Sequence, residues 1–61
     1  MIYKSCAEWP PETFTAMDGT HVSTDTHDTE EAARGVCNML ARHGFGGNGP
    51  KPVRVWVETL P

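Results

Sequence analysis

Five basic residues, five aromatics and two cysteines are all that this 61-residue chain has of each kind, and each scarcity excludes something. With eight acids against those five bases the net charge is −3, which argues against nucleic acid as a partner. No basic start leads into the apolar stretch of about 7–15 residues that a secretory leader carries, and no run is long enough to cross a membrane. The expected compartment is therefore the cytoplasm, where Cys6 and Cys37 are expected as free, partly buried thiols. Joined, they would close a loop of 32 residues and add about 3–4 kcal/mol by chain entropy, an alternative that an intracellular setting disfavours. So short a chain allows one domain, residues 1–61, with a thin core that a dimer or partner surface would help to stabilise.

What is present is organised around residues 28–44, a single amphipathic helix by pattern. At 100° per residue, Ala32, Ala33, Val36, Met39, Leu40 and His43 fall in one sector centred near Val36, with Glu30, Glu31, Arg34, Asn38, Ala41 and Arg42 opposite. Asp28 followed by Glu31 reads as a capping box, and Gly44 after Arg42 and His43 reads as the stop. Ahead of the helix, Ile2–Trp9 alternates as a strand, ended by Pro10-Pro11. Thr13–Met17 is expected as a second strand, turning at Asp18-Gly19 into a short third one over Thr20–Thr24. Beyond it, Val53–Leu60 is the clearest strand, with Val53, Val55 and Val57 on the face that receives the helix and Arg54, Trp56 and Glu58 on the other. The expected fold is α+β: a small antiparallel sheet of three strands, or four, with one helix on one face, in the order ββ(β)αβ.

The motifs for chemistry fail on context. Gly44-Phe45-Gly46-Gly47-Asn48-Gly49 spells a dinucleotide fingerprint, but it follows a helix and precedes a strand, so a phosphate would meet the wrong end of the helix dipole. His21, His27, His43, Cys6 and Cys37 lack the close pairs of a zinc site, and no metal or other cofactor is expected. Cys37 with a histidine, or Asp25 with Asp28, can be written as a catalytic pair, but neither has a local motif, so the expectation is not an enzyme.

Charge is distributed unevenly. Residues 1–31 hold seven acids against Lys4, a balance of −6; residues 32–61 hold four bases against Glu58, a balance of +3. The acidic run that includes Asp25, Asp28, Glu30 and Glu31 is suited to a basic protein surface. Trp56, flanked by Arg54 on the outer face of the last strand, is of the type enriched in binding hot spots, unless Tyr3 or Trp9 on a neighbouring strand covers it. These six residues are the candidate partner-binding set.

Two likenesses follow from the same stretches. Asp18-Gly19 with Thr29-Glu30-Glu31-Ala32 at a strand-to-helix junction resembles HicB-like antitoxin domains, with Pro50-Lys51-Pro52 echoing their proline-rich segment. His27–Ala32, Gly44-Phe45-Gly46-Gly47 and Val55-Trp56-Val57-Glu58 together look like the short accessory proteins of phages and prophages. The second likeness implies an anti-defence inhibitor, in the manner of anti-CRISPR proteins, that masks a host complex through an acidic surface. The first implies a regulatory module that forms a homodimer through its sheet.

Overall fold

The computed structural model describes residues 1–61 and contains three strands and one long helix: β1 (Ile2–Glu8), β2 (Val22–His27), α1 (Glu30–His43) and β3 (Arg54–Leu60). The sheet order is β2-β1-β3, antiparallel throughout, and α1 lies across one face. The α+β class and the strand and helix order are those expected from the sequence. No helix is long and apolar enough to cross a membrane.

The register decides what each face carries. Ser5 lies opposite Asp25 and Val57, and Ala7 opposite Ser23 and Val55, so these side chains share the helix-covered face. Cys6 lies opposite Thr24 and Trp56, and Lys4 opposite Glu58, on the open face. Small residues allow a close approach between the layers. Ser5 and Ala7 of the sheet, with Ala33 and Cys37 of the helix, are all buried, Ala33 to 0 % exposure. Trp9 closes one end of this seam at 2 % exposure. Its indole N–H donates to Ser23 Oγ at 2.7 Å, and the ring of Phe45 packs edge-on against it at 5.1 Å.

Five expectations need correction. Thr13–Met17 is not a strand. Pro10 starts a turn in which the Thr13 and Phe14 amides bond back to its carbonyl, and Phe14 goes to the Phe45 ring at 6.3 Å. The strand that pairs with β1 is instead β2, displaced towards the helix from the expected Thr20–Thr24. The Trp9 amide bonding to the His21 carbonyl carries the ladder directly onto it. Asp18-Gly19 does turn the chain, with Gly19 at φ 87°, but at the tip of the long connection between those strands.

The helix cap is Thr29, not Asp28. Thr29 has extended backbone angles and its hydroxyl accepts from the Ala32 amide at 3.1 Å. The helix also presents a different stripe. Its buried line runs through Ala33 and Cys37, rotated roughly 80° from the Val36-centred sector, and Ala32, Met39 and His43 are exposed. The reason lies in the sheet. The inner face of β2 is Ser23, Asp25 and His27, which offers Met39 no apolar floor, whereas β1 and β3 offer Ala7, Val55 and Val57. Val53, finally, falls outside β3 and is largely exposed.

Gly44 ends α1 as expected, at φ 82° with its amide bonded to the Leu40 carbonyl. A Cβ there would run into the carbonyl oxygens of Gly49 and Pro50, so the position excludes every other residue.

Candidate protein-binding surfaces

The six candidate residues occupy two separate places. Asp25, Asp28, Glu30 and Glu31 surround the corner where the chain turns from β2 into α1 through Asp28 and Thr29, with Asp25 lining the groove between α1 and β2 and Glu30 the groove beside β3. All four are exposed. Glu30 is matched by Arg34 one helical turn on, with Arg34 Nη2 donating to Glu30 Oε2 at 2.8 Å. Asp25, Asp28 and Glu31 make no ion pair and no side-chain hydrogen bond, so the corner holds three unmatched carboxylates. Elsewhere in the acidic half Glu12 is exposed and unpaired, while the other two carboxylates are engaged. Glu8 pairs with Arg54 at 2.6 Å, and Asp18 accepts from both the amide and the hydroxyl of Thr20. Those two bonds, the amide first, hold the Asp18 carboxyl below its ordinary pKa.

Arg54 and Trp56 lie on the open face of the sheet. Tyr3 and Trp9 project from the helix-covered side, so neither covers Trp56. The Arg54 guanidinium stacks over the indole at 4.7 Å from the ring centroid, and Trp56 Nε1 donates to Glu58 Oε2 at 2.8 Å. Glu58 also faces Lys4 at 3.7 Å. The indole is thus clamped between two charged neighbours while remaining partly exposed.

No family model matches the chain, and no curated protein or solved structure matches it.

The groups considered for chemistry are dispersed among structural tasks. His27 Nε2 is hydrogen-bonded to Ser5 Oγ at 2.9 Å, and His21 Nδ1 donates to the Phe14 carbonyl at 3.1 Å. The Cys37 thiol donates to the Trp56 carbonyl at 3.3 Å, tying the helix to β3. Cys6 is buried on the open face, and its pKa is raised, first by burial and then by the negative charge of Glu58. A thiol so held is a poor nucleophile near neutral pH. Both thiols are free, and no three His, Cys, Asp or Glu side chains converge as a metal site.

Sequence pattern did not mark the apolar groove of about 260 Å³ between α1 and β2, lined by Trp9, Val36, Met39, Leu40 and Phe45. The signal was present in the polar inner face of β2, which leaves the flank of the helix unmatched.

Proposed function

We propose that this protein is a non-catalytic binding protein that masks a basic protein surface through the corner formed by Asp25, Asp28 and Glu31. One observation carries the reading: these three carboxylates are exposed and unpaired around a single turn, while of the other acids in residues 1–31 Glu8, Asp18 and Glu30 each have a partner and Glu12 alone does not. Unmatched charge of one sign steers a partner of the opposite sign and selects against others. Surfaces that handle nucleic acid are basic, so the reading extends to a host complex of that kind, with a CRISPR effector as an example. An anti-defence role of this type also accords with the likeness to small phage proteins.

The test is recovery of bound proteins by the tagged chain from the cells that express it. The comparison is a triple variant, Asp25→Lys, Asp28→Lys and Glu31→Lys, whose fold is verified by circular dichroism. Loss of a specific protein from the variant is the expected result. Identical recovery by both forms would overturn the reading.

A second reading, a regulatory module of antitoxin type that dimerises through its sheet, is favoured by the free outer edge of β3, beyond which no strand lies.

A further inference from the structure

The backbone of β3 is poised for a partner. The Trp9 amide bonds to His21 across the β2 side, so odd-numbered residues of β1 direct their polar groups to β2 and even-numbered ones to β3. Glu8 conforms, its carbonyl accepting from the Val53 amide. In β3, then, Arg54, Trp56 and Glu58 turn their amides and carbonyls inward to β1, and Val55, Val57 and Thr59 turn theirs outward. No strand lies beyond this edge and no proline falls within it. Beside it runs a groove of about 350 Å³, walled on the other side by Glu30, Arg34 and Asn38 of α1.

We infer that the occupant of this edge is a second copy of the same chain, its β3 paired antiparallel with this one about a twofold axis at Trp56. The argument is self-complementarity. In that register Val55 faces the partner's Val57 and Val57 faces the partner's Val55, and these are the residues whose backbone groups point outward, so four backbone hydrogen bonds form. Trp56 faces its own copy, and Arg54 faces the partner's Glu58, all on the open side. These are non-hydrogen-bonded pairs, in which cross-strand side chains approach most closely.

The existing ion pairs extend the pattern. Glu8 already holds Arg54, and Lys4 already faces Glu58. A row across the joined sheet would read Glu8, Arg54, the partner's Glu58, the partner's Lys4, alternating in sign at each strand. Neighbouring registers lose this. An axis at Val57 sets Arg54 against Leu60 and Trp56 against Glu58, and an axis at Val55 sets Glu58 against Pro52. The same axis places both helices on one side of a six-stranded sheet. With α1 riding over β1 and β3, the two helices would lie on the order of 10 Å apart and close the groove between them. The β2 edge has no such code, since Val22–His27 carries Asp25 and no lysine or arginine.

The inference deepens the second reading above and does not involve the acidic corner. The experiment is light scattering after size exclusion, on the full chain and on Arg54→Glu and Glu58→Arg. The wild type is expected to be a dimer. Each single variant sets like charges opposite one another twice per interface, and is expected to weaken association at least about tenfold. Mixed together the two variants are complementary, because the acidic pair on one chain then meets the basic pair on the other across the axis, and they should recover the dimer as a heterodimer. Val57→Pro serves if either variant fails to fold. It removes an outward amide, leaves the β1 ladder intact, and is expected to give a folded monomer. A wild type that stays monomeric at high micromolar concentration overturns both the inference and the dimer reading. A dimer indifferent to these substitutions, or monomeric variants that fail to recover on mixing, overturns the β3 register and leaves only dimerisation by another surface.

Discussion

The two tryptophans stand on opposite faces of the same three-stranded sheet, and they do different work. Trp9, on the helix side, is 2 % exposed, donates to Ser23 and meets Phe45 edge-on. Trp56, on the open side, keeps part of its ring in solvent and is held from above by Arg54 and from the flank by Glu58. The contrast teaches where a small domain places its stability and where it keeps surface in reserve. One face is sealed by small residues and a single large ring. The other carries charges in register, with an aromatic among them.

Substitution at the two positions should differ most. Trp9→Ala removes the largest buried ring and orphans the Ser23 hydroxyl, a loss of about 3–5 kcal/mol. In a chain this small that leaves most molecules unfolded at room temperature by circular dichroism. Trp56→Ala should cost about 1 kcal/mol in urea denaturation of the monomer, while abolishing self-association. Equal losses at the two sites would show that the open face contributes to the core after all.

The helix supplies the next contrast. Ala33→Leu inserts bulk where the layers touch and should cost about 1–3 kcal/mol. Met39→Ala, at a residue 52 % exposed, should cost less than about 1 kcal/mol by the same measurement. At the start of α1, Thr29→Ala should lose about 1 kcal/mol and Asp28→Ala only a few tenths, because only Thr29 bonds to a helix amide.

The smallest effects are in pH, and the two shifted groups differ in sign. The Cys6 pKa is raised in the folded state, so its contribution is full below the unfolded thiol value of about 8.5 and fades as pH climbs through the folded value. Cys6→Ala should flatten the alkaline limb of a stability profile. The Asp18 pKa is lowered, so its contribution is full above the unfolded carboxyl value of about 3.9 and is lost as pH falls through the folded one. Asp18→Asn should flatten the acid limb.

Much of this architecture was legible because it depends on local pattern. The alternation of Arg54–Leu60, the helical period of residues 30–43 and the glycine at 44 each report on backbone conformation within a few residues. The errors fall where distant partners decide. Thr13–Met17 has β-favouring residues but lost the position beside β1 to Val22–His27, because a strand needs a neighbour in register and Pro10 turned the chain away. Asp28 and Thr29 are both good caps, and a difference of one residue in where β2 ends selects between them. Composition and charge mark the candidate residues one by one, but their division into an acidic corner and an open-face tryptophan follows from pairing.

The amino-acid sequence by itself determined that there is one amphipathic helix, where it stops, and that two strands flank a glycine-rich exit and a polar approach. Those are consequences of φ/ψ preference and of period, which act over one or two turns of chain. Tertiary structure alone settled which side of the helix is buried, which segment becomes the second strand, and which face of β3 is left open. Each of these depends on which surface lies opposite, and a sheet whose outer strand has a polar inner face draws the helix towards the strands with alanine and valine. The alternating charges of Lys4, Glu8, Arg54 and Glu58 were present in the sequence throughout. Only strand pairing turned them into a row, because charges 46 or more positions apart along the chain become neighbours across a ladder.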